Sequence, residues 1–157
     1  MDTITDAHLI GLGAVGATYA SILHKAKDSP VKIIVNEERA KRYEKGLVIN
    51  GEAFQFNFAL ENKADEKAEL IILTVKAHHL EKAIEAIRPF VGDKTILLPL
   101  LNGITSEEIL ADAFGKDKIL HGFCVALDAT RNQGEIQFSS PGRIVFGAGF
   151  EGDQNHD

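Results

Sequence analysis

The chain has 157 residues, 45% hydrophobic and 25% charged, with 14 glycines, four prolines and one cysteine, which excludes disordered, collagen-like and disulfide-framed classes and suits one folded domain. A chain of this length buries about 70% of the surface its unfolded form exposes, so its core needs no metal or disulfide staple. The formal net charge of −6 argues against a nucleic-acid partner, because phosphate backbones are held by clustered Lys and Arg; with no run of 18 apolar residues and no basic leader before an apolar stretch, neither a membrane span nor export is expected.

In chain order, Ala7 to Ile10 predicts a short strand and Ala14 to about Ala26 a buried helix that packs closely on a sheet. Asp28, Ser29 and Pro30 break it, and Val31 to Val35 has the β-branched content of a central strand. The charged segment from Asn36 to Gly46 begins a short helix. Asn50-Gly51 favours a type I′ turn, so a hairpin is expected there, with Phe54, Phe56 and Phe58 on one face as core packing. Leu70 to Val75 predicts a buried strand. His79 to Arg88 predicts an amphipathic helix, with Leu80, Ala83, Ile84 and Ile87 on its apolar side and Pro89 stopping it.

Thr95 to Leu101 predicts another strand, and Thr105-Ser106-Glu107-Glu108 starts a helix with carboxylates in its first turn. Strands are then expected over Ile119 to Leu127, Glu135 to Phe138 and Ile144 to Phe146, the last two joined by Ser139-Ser140-Pro141-Gly142 as a turn. Strands alternating with helices predict a Rossmann-like, doubly wound α/β fold, mostly parallel, with an antiparallel C-terminal portion. Residues 1–149 are expected to form one dinucleotide-binding domain and residues 150–157 a linker or disordered tail. Cys124 stands alone, so no intrachain disulfide can form; it is expected as a small buried hydrophobe, and the protein as cytoplasmic.

The sharpest motif is Gly11-Leu12-Gly13-Ala14-Val15-Gly16, a G-x-G-x-x-G between the first strand and the first helix. There Gly11 permits the tight turn, Gly13 lets backbone approach a pyrophosphate, and Gly16 allows close helix packing, with helix-terminal N–H groups facing the phosphates. At the end of the second strand, where a carboxylate would accept both hydroxyls of an NAD ribose, stands neutral Asn36, followed by Arg39, Lys41, Arg42 and Lys45. A guanidinium binds a 2′-phosphate bidentately, which favours NADP and makes Arg39 the candidate ligand; Glu37, Glu38 and Glu44 leave open an ordinary face of mixed charge. Lys76 and Asn102 each directly follow a predicted strand, where a doubly wound fold places its ligand. By pattern alone, Lys76 could equally be an exposed strand end and Asn102-Gly103 a plain turn.

These residues, in IGLGAVGATYA, NGEAFQF, LIILTVKAHHLEKAIEAI, LLPLLNGITSEEIL and GRIVFG, make the chain from Leu9 to Gly147 resemble the N-terminal domain of the ketopantoate reductase (2-dehydropantoate 2-reductase) family. The resemblance implies reduction of 2-dehydropantoate to pantoate with NADPH, a step towards pantothenate and coenzyme A, and no metal. It makes Gly11 to Gly16 the pyrophosphate loop, Lys76 the lysine near the nicotinamide half, and Asn102 the asparagine that positions cofactor and substrate. The arginine that many members carry at the end of the second strand is Asn36 here, so NADP preference rests on Arg39 and its neighbours.

The family's general acid is a lysine of a helical C-terminal domain, and no part of this sequence matches that domain. His78, His79 and His121 are the only obvious local proton donors, and His78-His79 reads as a surface pair rather than a metal site or acid. The partners implied are a small-molecule 2-oxo acid and, as an open option, a second copy in a homodimer. Two alternatives stay open: a dinucleotide-sensing module without chemistry, and a same-family reductase of another 2-oxo acid.

Overall fold

In the computed structural model, which describes residues 3–26, 31–101 and 105–148, the apolar runs lie side by side. Strands β1 (Ala7–Ile10), β2 (Lys32–Val35), β5 (Asn57–Leu60), β6 (Leu70–Leu73) and β7 (Ile96–Pro99) form a parallel sheet in the order β5-β2-β1-β6-β7. Successive residues of each strand point to opposite faces, and both faces are covered. Leu9, Ile33, Val35 and Ile72 join one core with helix α1 (Ala14–His24). Ile10, Ile34, Ile71, Leu73 and Leu97 join the other, with α3 (Leu80–Ile87) and α4 (Thr105–Phe114). Continuous apolar runs, rather than alternating ones, are what such a doubly covered sheet requires.

Local chemistry sets the helix ends. In α3, Leu80, Ala83, Ile84 and Ile87 are buried while Glu81, Lys82 and Glu85 face solvent. Pro89, which has no N–H to donate, turns the chain through a 3₁₀ turn at Arg88–Phe90. Helix α2 (Glu37–Arg42) starts at Asn36, whose side-chain Oδ1 accepts from the Arg39 N–H at 2.8 Å. Among the described residues no helix is long and apolar enough to cross a membrane.

The predicted hairpin forms between β3 (Leu47–Ile49) and β4 (Glu52–Phe54), with φ of 50° at Asn50 and 76° at Gly51, as a type I′ turn demands. Phe54 and Phe56 are buried and stacked, with ring centroids 5.8 Å apart. Phe58 departs from expectation, since it lies in β5 and pairs in parallel with Ile33 of the main sheet. The period-two alternation runs unbroken from one sheet into the next, so it does not report where the chain changes partner.

The C-terminal part differs more. A strand absent from the prediction, β9 (Thr130–Asn132), is exposed and joins β10 (Glu135–Gln137) through a tight turn with positive φ at Gln133 and Gly134. Ile136 of β10, fully buried, pairs in parallel with Ile49, giving a second sheet β4-β3-β10-β9 beside α1. Strand β11 (Pro141–Gly147) pairs instead with β8 (His121–Leu127), so Ser139 to Gly142 is a crossing between sheets, not a hairpin turn. Asp128 ties that crossing down by accepting from the N–H groups of Ser139 and Ser140, both at 2.9 Å, and from the Ser139 hydroxyl. These bonds hold its carboxyl below the usual range. Cys124, on β8, is partly buried against the α1-side core.

One titratable side chain sits inside the sheet layer. His8 of β1 is 3% exposed, with its ring 5.3 Å from Phe90 and Nδ1 3.5 Å from the Asp6 carboxylate. Burial lowers its pKa below 6.5, against the opposing pull of Asp6. The folded state therefore prefers the neutral ring, and the stability this contributes is present above about pH 6.5 and lost as pH falls below it. Melting temperature should drop between pH 7 and pH 5, and His8→Leu should flatten that drop in thermal denaturation followed by circular dichroism. Carboxylates with lowered pKa, such as Asp128, act only below about pH 4 and leave this window clear.

Candidate functional site

The carboxyl ends of β1, β2 and β6 meet at one edge of the parallel sheet, and of the residues singled out from the sequence Gly11 to Gly16, Asn36, Arg39 and Lys76 follow those strand ends. Gly11 follows β1 with φ of 106°, and a Cβ on it would lie 2.9 Å from the backbone carbon of Thr74 and from the Val75 nitrogen. A Cβ on Gly16 would lie 1.8 Å from the Gly11 carbonyl oxygen. Two of the three glycines are thus demanded by the fold itself.

Gly13 is different. A Cβ there would meet nothing within 4 Å, its φ of −78° suits any residue, and it is exposed. It stands at the N-cap of α1, where no side chain caps the helix, and its carbonyl accepts the Ala17 N–H at 2.9 Å. Packing gives no reason for a glycine here, and its lack of a side chain leaves the backbone at the helix N-terminus open. Leu12, between the glycines, sends its side chain into the core at 7% exposure, and Ala14 and Val15 pack partly against the same core. Their side chains hold the loop in place, so a ligand would meet their backbone.

Two residues that secure the loop were not legible in the sequence. The Thr74 hydroxyl, just past β6, donates towards the Gly11 carbonyl at 2.8 Å and the Ile10 carbonyl at 3.1 Å. Its only signal was a lone hydroxyl at the end of a buried run. Arg131 reaches across from β9, its Nη1 donating to the Leu12 carbonyl at 3.3 Å. That contact had no signal, because β9 itself was not predicted.

Beside the loop, between the end of β2 and α3, opens a cleft of about 670 Å³. Ile10 and Val75 contribute to its lining, with Asn36 and Arg39 from the β2–α2 side and His79 and Lys82 from the α3 side. The Asn36 side chain is committed to capping α2, which leaves Arg39 as the cation of this wall. Arg39 forms no ion pair among the described residues, whereas Arg42 pairs with Glu38 at 3.4 Å and Lys63 with Glu37 at 4.0 Å.

Lys76 is exposed at the sheet edge, and its carbonyl accepts the His79 N–H at 2.8 Å to start the 3₁₀ turn Ala77–His79. The rings of His78 and His79 lie 4.0 Å apart. His79 is held below the usual histidine range first by His78, then by partial desolvation and by the charges of Arg39, Lys82 and Lys76. Asn102 lies outside the described residues. Among those residues no group of three or more His, Cys, Asp or Glu side chains could hold a metal ion.

Parallel order, two covered faces and a glycine turn from β1 into α1 define a Rossmann-type α/β domain. The chain belongs to the family described as ketopantoate reductase PanE/ApbA, whose profile matches residues 7–150. It is 35% identical over 144 residues to "Uncharacterized oxidoreductase YkpB" of Bacillus subtilis (strain 168), covering 88% of this chain and 47% of that protein. The solved 2-dehydropantoate 2-reductase from Geobacter metallireducens GS-15 superposes with a TM-score of 0.77 at 26% identity, covering 91% of this chain and 49% of the other. D-mandelate dehydrogenase, solved with NADH and anilino(oxo)acetate, superposes with a TM-score of 0.73 at 26% identity, covering 86% and 45%. The chain spans about half the length of the relatives it matches.

The unequal glycines give a direct test. Gly16→Ala should destabilise the fold by about 3 kcal/mol, because the added methyl collides with backbone. Gly13→Ala should change stability by no more than about 1 kcal/mol. Urea denaturation of the two variants checks both values.

Proposed function

We propose that this chain is the NADPH-binding half of a 2-dehydropantoate 2-reductase. The observation that carries this is the open backbone at Gly13, beside a cleft with an unpaired arginine, in a chain of the ketopantoate reductase family. When bound, the dihydronicotinamide supplies a hydride to the carbonyl carbon of a 2-oxo acid.

The residues divide the work of holding it. Gly13 leaves the first-turn N–H groups of α1 accessible to a pyrophosphate, where the helix terminus favours negative charge. Arg39 offers a guanidinium to a 2′-phosphate in the cleft. Lys76, at the carboxyl edge, presents an ammonium to a ribose or a carboxylate, and Asn102 an amide to cofactor and substrate. Their task is orientation, bringing donor carbon and carbonyl together so that reaction becomes effectively unimolecular. The general acid corresponds to no residue of this sequence, so these 157 residues alone are expected to turn over 2-dehydropantoate negligibly.

A second reading, a reductase of another 2-oxo acid using NADH, is favoured by the neutral Asn36 and by the likeness to the NADH-bound D-mandelate dehydrogenase. Fluorescence titration with NADPH and NADH separates the two. NADPH should bind more tightly, Arg39→Ala should weaken NADPH binding about fivefold while sparing NADH, and Gly13→Val should weaken both. Equal or tighter NADH binding overturns the NADPH assignment, and robust turnover by this chain alone overturns the missing acid.

A further inference from the structure

Arg39 is not the cleft's only source of positive charge: His79 and Lys82, from a segment about 40 residues further along the chain, line it too. His79 ends the 3₁₀ turn that follows Lys76, and Lys82 follows on the first turn of α3; both line the cleft with Asn36 and Arg39. The acids that share the lining are Glu61, from the segment after β5, and Glu81 and Glu85 of α3. Glu85 is engaged with Arg88 at 2.9 Å. None of the three figures among the charges that move His79, whereas Arg39, Lys82 and Lys76 all do, together with His78. The imidazole therefore sits where positive potential converges from α2, from α3 and from its own turn, although the protein as a whole carries −6.

An imidazole among cations stays neutral at pH 7 until an anion arrives. A phosphate dianion between Arg39 and His79 would reverse that balance, because opposite charge within hydrogen-bonding reach favours the protonated ring. A ribose carrying only hydroxyls would not. We propose that His79, supported by Lys82, closes a proton-dependent anion clamp on the 2′-phosphate together with Arg39, so that preference for NADPH over NADH strengthens as pH falls below neutral. The clamp rests on the reading that this cleft takes the adenosine end of the cofactor.

Linkage supplies a readout independent of catalysis. If binding draws a proton onto His79, NADPH association takes up protons from buffer. The phosphate contributes with the opposite sign: its second pKa is about 6, so cations drive off about half a proton at pH 6 but only about a thirtieth at pH 7.5, where the uptake is therefore read. Net uptake thus points to the histidine rather than to the ligand.

Isothermal titration calorimetry in two buffers of different ionisation enthalpy, at pH 7.5 and pH 6, measures both quantities. At pH 7.5 the wild-type chain should take up a fraction of a proton with NADPH and none with NADH, and its NADPH-to-NADH affinity ratio should rise about two- to fivefold from pH 7.5 to pH 6. His79→Gln, which keeps a hydrogen-bonding side chain but cannot charge, should abolish uptake and flatten the ratio. Lys82→Gln should weaken NADPH binding at both pH values and retain uptake. A flat ratio in the wild-type chain, or the same pH dependence and uptake in His79→Gln, overturns the clamp while leaving the NADPH reading intact. Failure of NADPH to bind overturns that reading, and the clamp with it.

Discussion

Everything at the functional edge depends on one close approach, in which the first turn of α1 lies so near the end of β1 that the Cβ position of Gly16 falls 1.8 Å from the Gly11 carbonyl oxygen. Any side chain at position 16 would push the helix off the sheet. The Thr74 hydroxyl fastens the same loop from β6, bonding the Ile10 and Gly11 carbonyls, so two neighbouring strands and one helix are locked at a single point. With that point fixed, the uncapped N-terminus of α1 stands at the carboxyl edge of the sheet, and the cleft beyond β2 opens beside it.

The three glycines of the motif are therefore not equivalent. Gly11 answers to a positive φ and Gly16 to a backbone contact, needs internal to the fold. Gly13 meets no packing demand among the described residues and stands at the N-cap of α1, a position that glycine suits. What the open space there does is leave the backbone at the N-terminus of α1 accessible.

Charge tells a similar story of local arrangement against bulk composition. A protein of net charge −6 binds an anionic cofactor only if cations converge where the anion lies. Among the described residues Arg39 forms no ion pair, while Arg42 pairs with Glu38 and Lys63 lies 4.0 Å from Glu37. Asn36 spends its side chain on capping α2, and the residue in the place of the usual arginine thereby secures the helix that carries Arg39. His79 and Lys82 reach the same cleft from a different crossover.

The sequence by itself determined the parallel sheet, its covering helices and the glycine turn, because these are short-range properties: apolar runs of strand length, a 3.6-residue period ended by Pro89, glycines in tight register. It also determined the type I′ turn at Asn50-Gly51, where backbone preference alone decides. Tertiary structure decided the rest. Phe58 continues an alternation begun in the hairpin, yet it pairs with Ile33, since β2 had a free edge to fill. Strand β9 holds no apolar residue and exists because β10 offers it backbone hydrogen bonds; with it comes Arg131 at the glycine loop. The His78-His79 pair looked like an exposed dipeptide. Only the packing of α3 against the sheet brings one of the two rings into the cleft that Arg39 lines, because contacts between residues 40 positions apart are set by how layers stack, which periodicity does not encode.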